Sequence, residues 1–367
     1  MGAGVAPGGA RRVSVPSRDA YAEAGVDVAA GDRAVELLRQ RVGRTSDLLA
    51  GKSGFAAALP MPPQSGVESV LVAATDGVGT KTEIARRLGR YDTIGQDLVA
   101  MCADDVVCHG ARPFAFLDYL AVGKVEPERA ATIVAGVAEA CEAIDCELVG
   151  GETAEHPGLM AADAFDLAGF CLGIVERERL IDGGAVQDRD VVIGLASSGL
   201  HANGYSLVRS LLADGRLELD GALEDGAGGG SVGEALLIPT RLYAAHILAL
   251  LDAARGAGFR VGGLAHVTGG GLPGNVPRAV PAGLGVSVTP VVWPVPPIIE
   301  LAAARAGLSG PEMRATFNAG IGMAVIAEPD AAHTVVALLE SRGIEAWRIG
   351  RVVPASLTGP SRYREDT

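Results

Sequence analysis

Aromatic side chains are scarce in this sequence, because phenylalanine, tryptophan and tyrosine together make up 4% of its 367 residues. Hydrophobic residues nevertheless account for 49% of the chain and charged residues for 20%, a globular balance that excludes a disordered or fibrous protein. The core must therefore consist mainly of alanine, valine, leucine and isoleucine. At about 100 to 200 residues per domain, the length predicts two domains.

Positive charge is also scarce, since 31 lysines and arginines stand against 44 aspartates and glutamates, for a formal net charge of -13. Such a chain repels a nucleic-acid backbone or an anionic membrane, so we expect neither as a partner. An anionic small ligand would have to be held by backbone amides, a metal ion or a few cationic side chains.

Cysteines are few, and the five form neither a CxxC pair nor a disulfide ladder. The first residues also contain no apolar run long enough for a secretory signal, and both observations predict a reduced, cytoplasmic protein. The longest uncharged stretch, residues 279–299, contains five prolines, which exclude a membrane-spanning helix.

Glycine, in contrast, is abundant, with 51 residues. Predicted strands and helices alternate in both halves, which indicates an α/β or α+β fold. We expect a loop at residues 52–63, a short strand at Leu148, a surface insertion at 221–230 and a helical pattern over 235–255. The predicted organisation is a disordered segment at 1–18, an N-terminal domain at 19–178, a C-terminal domain at 179–353 and a tail at 354–367.

The first candidate segment, residues 75–82, reads TDGVGTKT between a predicted strand and a predicted helix. Such a loop can wrap backbone N–H groups around phosphate oxygens, and its lysine adds positive charge. Asp76, at the end of the strand, is a natural Mg²⁺ ligand. The loop is not a Walker A loop, because Thr80 precedes Lys81 where that pattern needs glycine. Taken alone, an ordinary glycine turn is an equally good interpretation.

The second candidate is an acidic pair on the next predicted helix, over residues 94–109. Asp105 continues the apolar stripe of this helix, and a carboxylate on a buried stripe is costly unless it is paired or bound to a metal. Asp105 is therefore a functional candidate. For Asp104 a solvated acid, or a neighbour of Asp97, is an equally good interpretation.

The third candidate is the segment GGETAE at residues 150–155, after the short predicted strand. Paired glycines let a backbone approach a ligand closely, and Glu152 would complete a metal site with Asp76 and Asp105. The alternative is the start of a helix with acidic residues in its first turn.

Two further loops carry histidines: SSGLHANGYS at residues 197–206 and HVTGGG at 266–271. A helix N-terminus after the first loop favours an anion, and three consecutive glycines are costly to order unless the loop has a purpose. His201 and His266 are predicted to contact phosphate or to do acid–base work rather than to bind metal. No G-x-S-x-G pattern accompanies them, which disfavours a serine hydrolase.

These segments, in this order, resemble the phosphoribosylformylglycinamidine cyclo-ligase family. The likeness covers about residues 21–350 and includes YAEAGVD at 21–27, DTIG at 92–95, FLDY at 116–119 and TFNAGIGM at 316–323. It implies an ATP- and Mg²⁺-dependent ring closure in de novo purine biosynthesis, in which formylglycinamidine ribonucleotide becomes aminoimidazole ribonucleotide and ADP and phosphate are released. It also implies the two-domain α/β (α+β) architecture of the ATP-binding synthetase superfamily, with N-terminal sheets that pair across a homodimer.

In that family the formyl amide oxygen takes the γ-phosphoryl group, and the amidine nitrogen then displaces phosphate, which requires positioning and charge neutralisation rather than a protein nucleophile. The resemblance implies a catalytic set of Asp76, Lys81, Asp105, His201 and His266. It implies ATP contacts from Asp76, Gly77, Gly79, Thr80, Lys81, Asp105, Gly151, Glu152 and Thr153, with Asp76, Asp105 and Glu152 as metal ligands. It implies substrate contacts from Gly54, Phe55, Ser198, His201, Asn203, Thr268, Gly269, Gly270 and Gly271.

Three positions depart from the family pattern: the lid at residues 52–58 has fewer glycines, Asp104 stands where asparagine is common, and Ala202 replaces a usual serine. The main alternative is another member of the superfamily, such as a selenophosphate synthetase or a thiamine-phosphate kinase. A selenophosphate synthetase would need a reactive residue near its N-terminus, whereas the first cysteine here is Cys102. A hydrogenase maturation protein is disfavoured because the chain ends without cysteine. A non-catalytic scaffold predicts loss of the acids or the glycine loops, and both are present.

Overall fold

The computed structural model describes residues 68–223 and 230–366, together with the backbone of residues 57–60. The predicted disordered segment, the substrate residues Gly54 and Phe55, and residues 224–229 of the predicted insertion lie outside these ranges. Two main β-sheets follow one another along the chain. The first ends at Glu176 and the second begins at Val191, so the predicted boundary at residues 178–179 falls between them.

Among its described residues, the first half contains one sheet and three α-helices. Its elements are β1 (Ala57–Pro60), β2 (Ser69–Gly77), α1 (Lys81–Leu88), α2 (Ile94–Val107), β3 (Arg112–Val122), α3 (Pro127–Ala143), β4 (Glu147–Glu155) and β5 (Phe165–Glu176). The spatial order of the strands is β1-β2-β5-β3-β4. All neighbouring strands are antiparallel except β3 and β4, which are parallel.

Helix α2 lies in the core of this half, because it packs against β2, β3, β5 and α3. The burial pattern of strand β5 shows that helices cover only one face of the sheet. Its residues alternate between buried positions, such as Leu167 and Cys171, and exposed ones, such as Phe170 and Ile174. Since successive side chains of a strand point to opposite faces, the helices cover one face and leave an apolar face open.

The second half contains a six-stranded sheet and seven helices among the described residues. Its elements are β6 (Val191–Ala196), α4 (Tyr205–Ala213), β7 (Ala222–Leu223), β8 (Gly230–Ser231), α5 (Val232–Leu236), α6 (Ala244–Ala257), β9 (Val261–His266), α7 (Gly271–Asn275), β10 (Leu284–Val288), α8 (Pro297–Ala306), α9 (Gly310–Thr316), β11 (Ile321–Ala327), α10 (Ala332–Ser341), β12 (Ala346–Pro354) and β13 (Tyr363–Glu365). The strand order of the large sheet is β13-β10-β12-β6-β11-β9, and β7 pairs with β8 alone.

Four expectations about local structure are wrong. The predicted loop at 52–63 contains β1, and the short strand at Leu148 extends through Glu155 as β4. The predicted tail contains β13, which pairs in parallel with β10. The helical pattern over 235–255 is divided between α5 and α6 by residues 237–243. The strands were missed because a partner strand, rather than local propensity, holds their backbone.

The predicted fold class is confirmed as mixed α and β in two halves. Parallel pairing between named strands of the described chain is confined to β3 with β4 and β10 with β13. No helix among the described residues is long and apolar enough to cross a membrane.

Candidate active site

The first glycine loop joins β2 to α1 where the two halves meet. Asp76 is the penultimate residue of β2, and its carboxylate accepts a hydrogen bond of 2.7 Å from the backbone N–H of Gly77. Burial raises the pKa of Asp76, and the nearby Asp105 carboxylate also acts to raise it. Gly79 has a φ of 66° and no other atom within 4 Å of an added Cβ, so its backbone faces open space. Thr80 reaches the second half, with its Oγ1 3.4 Å from Ser206 Oγ.

An aspartate–histidine pair links α2 to the end of β9. Asp105 Oδ1 lies 2.9 Å from His266 Nδ1, and the Asp105 side chain is 18% exposed while that of His266 is fully buried. Burial lowers the pKa of His266, but the hydrogen bond to Asp105 and the surrounding carboxylates outweigh it, so its pKa lies above the ordinary value. His266 is therefore buried behind Asp105 and orients its carboxylate through this hydrogen bond.

The two loops of the second half meet α2 beside these acids. Asn203 Nδ2 lies 3.7 Å from Met101 Sδ on α2. A Cβ added to the exposed Gly269 would lie 3.6 Å from Asn203 Oδ1, so the loop after β6 and the loop after β9 adjoin. Thr268 donates from Oγ1 to Asn275 Oδ1 at 3.4 Å, which ties its loop to α7. The structure thus brings together residues from four of the five candidate segments: Asp76, Gly77, Gly79, Thr80, Asp105, Asn203, Thr268, Gly269 and Gly270.

In the part of the chain that the structure describes, the site holds two carboxylates for a metal ion, not three. No group of three or more metal-ligating side chains is present among the described residues. Mg²⁺ is usually bound by one or two carboxylates together with substrate phosphates. Asp76 and Asp105 fit that requirement, because each is partly open and the charge of Asp105 acts on Asp76.

The proposed third ligand, Glu152, is misplaced in the sequence prediction. Gly151, Glu152 and Thr153 are exposed residues within β4, not a loop after a strand. Glu152 pairs with Tyr119, Tyr119 with Ala168, and Ala168 with Gly77. Three strand spacings of about 4.8 Å place Glu152 about 14 Å from β2, so it cannot share a metal ion with Asp76 in the same chain.

Lys81 does not offer its ammonium group to a phosphate, contrary to the sequence prediction. Its side chain is fully buried, and Nζ donates to Asp97 Oδ1 at 2.8 Å, to the carbonyl of His201 at 3.0 Å and to that of Ile238 at 2.7 Å. An ammonium group has three N–H donors, and all three are used. Burial lowers the pKa of Lys81, while Asp97 acts to raise it.

His201 and Ser198 are likewise engaged within the protein. His201 is 1% exposed, and its Nε2 accepts a hydrogen bond of 3.1 Å from the backbone N–H of Ser198. Burial holds the pKa of His201 well below the usual value, so the ring is neutral. Ser198 donates from Oγ to the carbonyl of Pro239 at 2.6 Å. The predicted catalytic contact of His201 is therefore wrong for this conformation, and the residue shapes the loop instead.

The sequence interpretation selected none of three residues that contact or act on the predicted site residues. Asp97 is the buried partner of Lys81, Thr240 donates to Asp97, and Arg278 is close enough to Asp105 for that charge to act on its pKa. The sequence could have indicated Asp97, because it is an acid on the same largely buried helix as Asp105. No sequence pattern could have indicated Thr240 or Arg278, because only the tertiary fold brings Thr240 to Asp97 and Arg278 close to Asp105.

Asp104 is fully buried, so the solvated alternative is wrong. Its Oδ1 accepts a hydrogen bond of 3.0 Å from the backbone N–H of Tyr243, and Oδ2 has no partner. Burial raises the pKa of Asp104 to about 7. Between about pH 4 and about pH 7, the folded protein therefore keeps a proton on Asp104 that the unfolded chain has released.

We expect Asp104→Asn to remove a pH dependence of stability. Because the folded pKa is raised, this carboxyl costs stability as pH rises from the unfolded pKa of about 4 to the folded pKa, at up to about 1.4 kcal/mol per pH unit. Asparagine keeps an oxygen for Tyr243 and has no proton to lose. In urea unfolding between about pH 5 and about pH 8, the wild type should lose about 2–3 kcal/mol more than the variant.

The matched control is Asp330→Asn, because Asp330 is exposed. It should follow the wild type at both pH values. Equal pH slopes for the wild type and Asp104→Asn would contradict a buried, protonated Asp104.

Known proteins share both the sequence pattern and the fold of this chain. Residues 56–175 match the profile of AIR synthase related protein, N-terminal domain, and residues 187–359 match that of AIR synthase related protein, C-terminal domain. The fold is also that of the HypE-HypF complex, with a TM-score of 0.59 and 16% identity, covering 87% of this chain and 92% of that one. Thiamine-monophosphate kinase from Stenotrophomonas maltophilia has a TM-score of 0.58 and 19% identity, covering 83% and 87%. Fold and site define a member of the AIR synthase related proteins.

Curated relatives narrow this class. A phosphoribosylformylglycinamidine cyclo-ligase from an Anaeromyxobacter species is 47% identical over 334 residues, which is 90% of this chain and 95% of that protein. The protein of the same name from Nitrosococcus oceani is 45% identical over 341 residues, which is 92% of this chain and 93% of that protein. The chain belongs to the phosphoribosylformylglycinamidine cyclo-ligase family, and the resemblance found in the sequence is confirmed.

Proposed function

We propose that this chain catalyses the ATP-dependent cyclisation of formylglycinamidine ribonucleotide to aminoimidazole ribonucleotide, with release of ADP and phosphate, in de novo purine biosynthesis. The observation that carries the proposal is the meeting of the glycine loop at residues 77–80, the Asp105–His266 pair and the loops after β6 and β9 at one place between the halves. Family membership over nine-tenths of the chain identifies the reaction.

The residues that would hold ATP and Mg²⁺ lie on the first half. Bound ATP supplies the γ-phosphoryl group that activates the formyl amide oxygen, and Mg²⁺ neutralises phosphate charge. The open backbone at Gly79 and the partly exposed Gly77 and Thr80 would line the phosphates. Asp76 and Asp105 would hold the metal, with Asp105 oriented by His266.

The opposite side of the site would bind the substrate. Asn203 would offer its amide, and the exposed Gly269 its backbone, to the phosphate and ribose of the ribonucleotide. No cysteine is poised as a nucleophile, because all five are buried. The chain therefore works by holding the amidine nitrogen next to the activated carbon.

The first experiment supplies the purified chain with ATP, Mg²⁺ and formylglycinamidine ribonucleotide and quantifies ADP and aminoimidazole ribonucleotide by mass spectrometry. We expect equal amounts of both. Thiamine phosphate, offered instead, should give no ADP. ADP formed only with thiamine phosphate would replace the cyclo-ligase reaction with the kinase alternative.

We further propose a homodimer through the open face of the first sheet. Leu117 on β3 is paired directly with Phe170 on β5, and Tyr119 and Ile174 extend the same face. These four side chains are 38% to 43% exposed. A contiguous apolar patch on a sheet is typical of a protein–protein interface.

Phe170→Glu is expected to convert the dimer to a monomer, because a carboxylate would be buried against apolar side chains. Light scattering at micromolar concentration should give half the wild-type mass. Val291→Glu is the control, since Val291 is 88% exposed on the other half. A wild-type monomer, or a variant that remains dimeric, would contradict this interface.

The cytoplasm is the proposed location. All five cysteines are unpaired and buried, which supports a reducing compartment.

A further inference from the structure

A buried ion pair joins the two halves next to the glycine loop at residues 77–80. Lys81 is the first residue of α1, immediately after the loop that faces ATP. Its ammonium group donates to two carbonyls of the second half, those of His201 and Ile238. Its charge partner, Asp97, belongs to α2 of the first half. The pair therefore connects the nucleotide loop with the loop that carries Asn203.

Asp97 is bound from both halves through a single oxygen. Oδ1 accepts hydrogen bonds from Lys81 Nζ at 2.8 Å, from the backbone N–H of Thr240 at 2.8 Å and from Thr240 Oγ1 at 2.6 Å. Oδ2 is buried without a partner. Such an arrangement fixes the geometry of segment 238–240 more strictly than an apolar contact does, because three donors must converge on one atom.

Two further side chains of helix α2 form hydrogen bonds with the segment at residues 240–243. Gln96 donates from Nε2 to the carbonyl of Thr240 at 2.8 Å, and Asp104 accepts from the backbone N–H of Tyr243. Ser198, at the start of the loop after β6, is bonded to Pro239 within the held segment. A displacement of residues 238–243 would therefore move the substrate side of the site relative to the nucleotide side.

Stability alone does not account for this pair. The attraction between two fully buried charges is offset by the loss of their hydration, so a buried ion pair is weak evidence for stability. The position of the pair is more informative, because both charges lie next to the two ligand loops.

We infer that Lys81 and Asp97 are positioning residues: their ion pair sets the loop at residues 197–204 against the loop at residues 77–80, so that the formyl amide oxygen and the γ-phosphate meet. This rests on the proposed function. Neither side chain contacts a ligand, since both are fully buried. Their loss should slow the reaction between two bound substrates and leave ATP binding, which uses the first half, largely intact.

The decisive variants are Asp97→Ala and Asp97→Asn, assayed as folded protein. Asp97→Ala removes the shared acceptor, and kcat for ADP formation should fall about 100-fold while the Kd of a non-hydrolysable ATP analogue changes less than about threefold. Asp97→Asn loses the charge but keeps an oxygen for both Lys81 and Thr240, so its kcat should lie between those of Asp97→Ala and the wild type. Thr240→Val, which loses one hydrogen bond and spares the ion pair, should cost less than Asp97→Ala.

Hydrogen exchange provides a readout that does not depend on activity. In Asp97→Ala, backbone amides of residues 197–204 and 237–243 should exchange at least about tenfold faster, with β6 unchanged. Unchanged exchange in these loops, or a loss of kcat matched by an equal loss of analogue binding, would overturn the inference. If the wild type releases no ADP with formylglycinamidine ribonucleotide, the proposed function fails, and the exchange rates still decide whether the pair orders the loop.

Discussion

Asp105→Asn is expected to lower kcat for ADP and product formation by about 100-fold to 1,000-fold, the cost typical of removing a preorganised charged group from an active site. Asp105 is partly open to the site and hydrogen-bonded to the buried His266. Asparagine is isosteric but neutral, so it would weaken a metal contact and remove the charge that raises the pKa of His266. Steady-state kinetics with both substrates at saturation measures the effect.

Asp330→Asn is the control for this substitution, because the same chemical change is made at an exposed aspartate. It should leave kcat and KM unchanged. An Asp105→Asn enzyme with wild-type kcat would remove Asp105 from the site.

Gly271→Ala is expected to destabilise the protein by about 3 kcal/mol or more, through a left-handed backbone and overpacking together. Gly271 has a φ of 57°, and an added Cβ would lie 2.0 Å from the carbonyl oxygen of Arg314 and 2.6 Å from that of Phe317. These are backbone atoms and cannot move aside. Thermal unfolding should show a Tm lower by about 6–12 °C, at about 2–4 °C per kcal/mol for a domain of this size.

Gly269→Ala is the comparison, because its added Cβ meets only Asn203 Oδ1 at 3.6 Å, an ordinary contact. Its Tm should stay within about 2 °C of the wild type. Equal Tm values for the two variants would contradict this prediction and show that α7 can shift away from α9.

The predicted substrate contact of Gly271 is wrong. Gly271 is buried against the end of α9, and of the three glycines only Gly269 and Gly270 face outward.

Asp105 shows what sequence patterns can reveal about this site. An acid on an apolar helical stripe is costly, and that cost by itself indicates a function. The fold supplies its partner, because His266 is 161 positions away along the chain, at the end of β9, and only the packing of the second half against α2 brings it close. Asp76 and the open Gly79 were predictable for a similar reason, since a strand followed by a glycine loop and a helix is a local pattern.

Lys81 and Glu152 show where patterns mislead. A lysine in a glycine loop suggests phosphate binding, but nothing local reveals that Asp97 and two carbonyls of the other half will use all of its donors. Paired glycines suggest a turn, yet Gly151 lies within a strand, where an added Cβ would collide with the Asp118 carboxyl group. In both cases a tertiary contact, absent from any local window, decides the role of the residue.

The abundance of glycine and the deficit of positive charge are related in this chain. With a formal net charge of -13, the protein has few cations to spare for two anionic substrates. Lys81 is buried in the structure and so adds no exposed positive charge. Under the proposed function, backbone N–H groups and a metal ion at Asp76 and Asp105 would bind phosphate instead. Glycines at exposed loop positions make those N–H groups accessible.

Isotope transfer tests the proposed chemistry most directly. Formylglycinamidine ribonucleotide labelled with ¹⁸O in its formyl oxygen is converted with unlabelled ATP in unlabelled water, and the released phosphate is analysed by mass spectrometry. If the chain activates the amide by phosphorylation, the carbon–oxygen bond breaks when the amidine nitrogen closes the ring, so each phosphate should carry one ¹⁸O. Unlabelled phosphate, formed alongside aminoimidazole ribonucleotide, would contradict that account.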